Sequence, residues 1–345
     1  MRKFLLLGIL VFSTSSFASH IFGGNITWKC LGNNQYIFKI DLYKDCSPNT
    51  VWLLDTVSLR STALPGQKIY ADRDTILDMS LKCNGPNSLG CNQPSPSGVD
   101  LYRYFTDTIT LPGAPPAQGW LFSYSICCKS GATVNVQTNG RPQGVTFIRS
   151  TMFPSTSGCE SSPYFDFNPA QQIISTTNSL STLGSTANPA DSLYYRFVAP
   201  NYDANNPSIF LFGYNANNPF PNPTSNALNG PVSINHFNGL IDFDIKQGTP
   251  GYYYYAVSIE QWRDNQLLSE IVLDNSVLGD FTPVNNNAPS VAIDTSIYNL
   301  VRSGDFYQVN VVEGDTIEFV IEATDADIDT ATNQNQMIDF GAYGY

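Results

Sequence analysis

The sequence predicts an all-β protein built as tandem Ig-like β-sandwich domains, the first of them stapled by disulfides. Three observations point there. Apolar residues recur with period two in many short runs, Gly, Pro, Asn and Ser punctuate those runs, and helical periodicity never holds for three turns. The composition agrees: charged residues are 13%, aromatics 13%, with 19 Tyr, 25 Gly and 22 Pro, the profile of a turn-rich extracellular β protein rather than a helical enzyme or a disordered tail.

Residues 1–18, "MRKFLLLGILVFSTSSFA", have the form of a signal peptide, with Arg2 and Lys3 ahead of an apolar stretch from Phe4 to Phe12 and small residues Ser16 and Ala18 at the cleavage site. No later apolar run approaches the roughly 18 residues that span a bilayer, so the expected mature chain is exported without a transmembrane segment. Without Arg2 and Lys3 it has 15 basic residues against 29 acidic ones, a balance of −14. That charge argues against nucleic acid and anionic membrane surfaces as partners.

The first unit, 19–158, opens with "NITWKCLGNNQYIFKIDLYKDC". Ile26, Trp28 and Cys30 share one face, Tyr36, Phe38, Ile40 and Leu42 share one face of the next run, and Gly32-Asn33-Asn34 turns between them: a hairpin. Further strands are expected at "VWLLDTVSL", "DLYRYFTDTITL", "GWLFSYSICC", "ATVNVQ" and "VTFIRSTMF". The second unit, 159–285, carries "SLYYRFVAP", "SIFLFGYN", "GLIDFDI", "GYYYYAVSIEQW" and "LLSEIVLDNSVL", the last two joined through Arg263-Asp264-Asn265-Gln266. Residues 286–345 read as a linker and an incomplete Ig-, cadherin- or PKD-like unit.

All seven cysteines precede residue 160. In a strand, Cys127 and Cys128 leave opposite faces, which predicts two separate bridges rather than one between them. An exported chain favours disulfides, so three bridges with one cysteine over are expected. Cys83 and Cys91 close the loop "CNGPNSLGC", leaving Cys30 and Cys46 as partners for the adjacent pair in an order that the sequence leaves open. With two histidines in the whole chain, a zinc site is not expected.

Catalytic motifs are absent: there is no G-x-S-x-G, H-E-x-x-H or Gly-rich phosphate loop. His20 would become the second residue of the mature chain, an exposed position or a copper ligand beside the amino terminus, and His236 sits at a turn. Asp242 and Asp244 alternate with apolar residues and share a face, as a glycosidase pair or as the solvated side of a strand. In "GYYYY", alternation sends Tyr252 and Tyr254 to one face and Tyr253 and Tyr255 to the other, so one pair is core and the other, taken as Tyr252 and Tyr254, is the candidate glycan contact. Asp325, Asp327 and Asp329 alternate like the first ligands of a calcium loop, although Thr330 and Gln336 replace the Gly and Glu of an EF-hand; a looser calcium site is the remaining cofactor expectation. Asp-Thr or Asp-Ser followed by an apolar residue recurs at Thr56, Thr75, Thr108, Ser192, Thr316 and Thr330, a pattern that resembles an acceptor motif for bacterial periplasmic O-glycosylation.

Taken in order, "SHIFGGNITWKCLGNNQYIFKIDLYKDC", "WLFSYSICCKS", "SSPYFDFNP", "DSLYYRFVAP" and "GLIDFDIKQGTPGYYYYAVSIEQWRDNQLLSEIVLD" resemble the N-terminal region of large surface proteins of gliding bacteria. The resemblance covers Ser19 to about Asp274. Such proteins carry Ig-, cadherin- or PKD-like arrays and a gliding motility-associated C-terminal domain read by type IX secretion. It implies a non-catalytic cell-surface or secreted module in adhesion or gliding, with other surface proteins or extracellular polysaccharide as partners. The rival expectation is a secreted polysaccharide-binding or polysaccharide-degrading protein.

Overall fold

Two-residue turns set the two long hairpins. Asn33 and Asn34 have φ of 52° and 57°, and Asp264 and Asn265 have 49° and 60°. Positive φ at both central positions is the type I′ geometry, whose twist matches that of the strands it joins, and Asn and Asp tolerate it better than most side chains.

The computed structural model describes residues 21–45, 53–79, 98–129, 133–138, 144–156, 158–165, 173–174, 180–181, 185–279 and 281, with short stretches and single positions from 290 to 335. Ten long strands follow in chain order: β1 (Ile21–Gly32), β2 (Gln35–Asp45), β3 (Thr56–Ser61), β4 (Lys68–Asp78), β5 (Val99–Thr106), β6 (Trp120–Cys127), β7 (Val145–Met152), β8 (Ser192–Val198), β9 (Gly251–Arg263) and β10 (Gln266–Gly279). Among the described residues no helix is long and apolar enough to cross a membrane.

These strands form one antiparallel sheet in the order β1, β2, β5, β4, β3, β6, β7, β10, β9, β8. Strand β10 also pairs with β1, placing Gly24 opposite Asp274, so the first eight members close into a ring from which β9 and β8 extend. Closure with antiparallel neighbours throughout requires an even number of strands, and it leaves the ring without a free edge. Its interior is filled by side chains, as expected for eight strands. Phe38 from β2 meets Phe122 from β6 at 4.4 Å between ring centroids, and Trp28 from β1 lies 6.1 and 6.0 Å from the two.

Strand β9 is covered on both faces. Tyr253 and Tyr255 enter a second aromatic cluster centred on Phe220, whose ring lies 4.8 Å from Phe243 and 5.0 Å from Tyr255. Tyr252 and Tyr254 turn the other way, toward β1: Tyr252 packs 5.4 Å from Phe22, and the Tyr254 hydroxyl donates to the Ile21 carbonyl at 3.2 Å.

The all-β prediction holds; the tandem Ig-like sandwich is not confirmed, and the long strands of both expected units share this one sheet. The boundary expected at 158/159 does not separate the strand pairing, because β10 hydrogen-bonds both β7 and β1. A disulfide between Cys30 and Cys159, Cα atoms 5.8 Å apart, crosses the same point. Two expected strands, "ATVNVQ" and "SIFLFGYN", make only isolated bridges such as Val136 to Phe210, with Phe212 96% exposed. Conversely, β4 was not expected. Only Ile69 and Ala71 are buried in "KIYADRDTILD", too little alternation to mark a strand that is nonetheless paired on both sides. Beyond residue 289, short antiparallel pairs such as Ser290–Ile293 with Ile321–Thr324 continue the β character.

Candidate functional site: an aromatic groove beside the last hairpin

Outward positions of β8 and β9 alternate with inward ones. The register sets Ser192 opposite Trp262, Tyr194 opposite Glu260 and Arg196 opposite Ser258. Between Gln261 and Trp262 the β9–β10 register shifts by one residue, a bulge of the kind that re-aims a side chain next to a turn. The inward Gln261 is held by Asp191 and Ser269, at 2.6 and 2.7 Å, which fixes the pivot on which Trp262 turns out.

The outcome is an open groove of about 390 Å³ lined by Tyr194, Phe237, Trp262, Glu260, Asp264 and Asn265, with Ser192 and Leu193 at its side. Its aromatic members are braced. The Trp262 indole N–H donates to Glu260 Oε2 at 3.0 Å, and Tyr194 stacks on His236 with ring centroids 4.9 Å and planes 13° apart. His236 Nδ1–H donates to the Tyr195 carbonyl at 2.7 Å, while the Tyr195 amide donates to the His236 carbonyl at 2.9 Å. This turn therefore caps the outer edge of β8 and leaves Phe237 83% exposed.

Charge on this flank is acidic. Arg196 serves Glu260 and Glu270 together, at 3.0 and 3.2 Å. Arg263 serves Asp191 and Glu160, both at 2.6 Å, and the Asp191 side chain is fully covered. Two guanidinium groups thus face four carboxylates, and Asp264 at the turn adds a fifth that has no ion-pair partner among the described residues.

A second polar feature lies at the ring seam. Both carboxyl oxygens of Asp274, with Asn25 Oδ1, Thr146 Oγ1 and Ser276 Oγ, are buried without a hydrogen-bond partner among the described residues. Burial pushes the Asp274 carboxyl up to about 7, against the opposing pull of Lys129 and Arg149. Lys129 is itself buried, donates to Ser208 Oγ at 3.1 Å, and sits 5.5 Å from the Tyr254 ring centroid. Desolvation holds its ammonium below the ordinary lysine range, and Asp274 partly offsets the shift.

The predicted site residues scatter. Tyr254 is fully buried and Tyr252 half-buried, its hydroxyl pushed up to about 12 by that burial, so the expected glycan contact at Tyr252 and Tyr254 is corrected. Both faces of β9 are core because the ring covers one and the Phe220 cluster the other. Cys127 and Cys128 are bridged to each other, contrary to the expectation of a separate partner for each, and Cys30 pairs with Cys159, which had been left over. The peptide bond between Cys127 and Cys128 is cis. Cys46, Cys83, Cys91, His20, Asp325 and Asp327 lie outside the described residues; Asp329 is described only as part of the short strand Ile328–Asp329. Asp242 is exposed and Asp244 is ion-paired with Lys246 at 2.8 Å, and neither lines the groove.

Sequence reasoning missed Tyr194, Phe237 and Trp262. The signal for two of them was present: Trp262 follows Glu260 at a same-face spacing beside the turn, and Tyr194 takes the alternate position in "SLYYRF". No protein-family model, no curated protein and no solved structure matches the chain.

Proposed function

We propose that this chain is an exported, non-catalytic module of the cell surface, of the adhesin type and associated with gliding or attachment, which presents its groove to an extracellular partner. The observation that carries the reading is the closed ring: eight strands paired edge to edge, filled by aromatic side chains, carry on one flank the β9–β8 extension that holds a braced groove. Binding is favoured over degradation by Glu260, whose two oxygens are taken up by Arg196 and Trp262 and are not free for acid or base work. The leader-like residues 1–18 and the resemblance to surface proteins of gliding bacteria support export.

Fractionation of cells with and without external protease, followed by an immunoblot against residues 19–285, tests this. A protease-sensitive surface band is the expected result. A band protected in the periplasm would overturn surface presentation, and release of reducing sugar from polysaccharide by the purified chain would overturn the non-catalytic reading.

A further inference from the structure

We infer that the groove binds an amine-bearing polysaccharide, its pyranose rings lying on Trp262 and Tyr194 and its ammonium groups meeting Asp264. The inference deepens the reading of the chain as a presentation module and rests on it.

The shape comes first. A groove of about 390 Å³, open to solvent and walled by flat rings, suits a chain of small rigid rings. Its faces are fixed before any ligand arrives, Trp262 by Glu260 and Tyr194 by His236, so little rotamer freedom remains to be lost on binding. Phe237, 83% exposed on the turn that braces Tyr194, is a large apolar surface that no element among the described residues covers.

Charge selects among sugars. None of the groove-lining residues is basic, and the flank carries two guanidinium groups against five carboxylates. Anionic polysaccharides would be repelled. An ammonium over an aromatic face gains a cation–π attraction, and one near the unpaired Asp264 gains a charge-assisted hydrogen bond.

A basic peptide is the other cationic occupant, and the backbone disfavours it. Peptides that dock on sheets commonly add a strand to a free edge. Here the edge of β8 is occupied at Tyr195 by both backbone and ring bonds from His236.

The test is isothermal titration of the full chain with four probes: a glucosamine hexamer, its fully N-acetylated counterpart, an oligouronate of the same length and an oligolysine. The glucosamine hexamer is expected to bind at least tenfold more tightly than the N-acetylated one, with no binding of the oligouronate. Asp264→Asn should weaken hexamer binding about threefold to tenfold and flatten its salt dependence, without a shift in melting temperature, because Asn keeps the positive φ of the turn. Trp262→Ala should abolish binding. Equal affinity for the N-acetylated hexamer would overturn the amine requirement, oligolysine binding as tight as the hexamer would overturn the polysaccharide, and silence with all four would overturn the site. A surface protein that binds no probe loses this inference alone, whereas a periplasmic protein that binds the hexamer loses only the surface reading.

Discussion

Gly23 lies flat against the backbone of Asp274: a methyl group on Gly23 would run into the Asp274 carbonyl, and the Gly23 φ of 149° already favours glycine. This is the seam where β1 meets β10. Gly23→Ala should therefore destabilise the fold by about 2–4 kcal/mol, combining overpacking with backbone strain. Gly66→Ala, whose added methyl meets nothing, serves as the control, with a loss of about 1 kcal/mol. Urea unfolding midpoints of the two variants check the difference.

The covered carboxyl of Asp274 makes stability depend on pH. Its proton is held to about pH 7 in the fold, against an ordinary aspartate value of 3.8. Between those values the folded chain binds the extra proton and the unfolded chain does not. This contribution is complete below about pH 4 and falls away as pH rises to about 7, a decline of up to about 4 kcal/mol. Asp274→Asn should flatten the curve, and the wild-type minus variant difference isolates it from Lys129 and Arg149, which face the same carboxyl. Chemical denaturation from pH 4.5 to 8 measures it; parallel curves would show that Asp274 does not titrate there.

The Cys30–Cys159 bridge joins residues 129 apart in sequence. A loop of that length restricts the unfolded chain strongly, so replacing both cysteines with serine should cost about 2–5 kcal/mol. The measurement is a thermal melt of the double variant, alongside peptide mass mapping under non-reducing conditions.

Arg263 and Arg196 each touch two carboxylates, yet they should differ in weight. Asp191 is fully covered, and Arg263→Ala would leave its charge buried with Gln261 alone, at a cost of about 3 kcal/mol. Arg196 is 43% exposed, and Arg196→Ala should cost about 1 kcal/mol or less. Unfolding of the two variants at 0.1 and 1 M salt separates them, the larger effect being the less sensitive to salt.

Local signals carried what was legible in the sequence. The hairpin at Asn33-Asn34 and the one at Asp264-Asn265 were evident from turn residues flanked by alternation, because both signals act within a few residues. Ring closure was not, since nothing near Gly24 announces that its partner is Asp274. Alternation divides the tyrosine run into one buried and one displayed pair because it assigns faces and says nothing of what covers each. Pairing on both sides also hid β4, whose outward residues are as polar as those of a loop. The groove eluded the sequence for a related reason: Tyr194, Phe237 and Trp262 come from three separate stretches, brought together by the β8–β9 register and the bulge before Trp262.

Ring closure also fixes an order of events. Strand β1 is made first and β10 some 250 residues later, so the amino-terminal strand must wait, half paired, until the last hairpin arrives. Contacts of such long sequence separation make for slow folding. During that interval β1 offers an unpaired edge of apolar residues, Ile21 and Phe22 among them, to any neighbouring chain. The newly made protein is thus most exposed to self-association before residues 266–279 are available, and a fragment ending at 158 would keep that exposure for good.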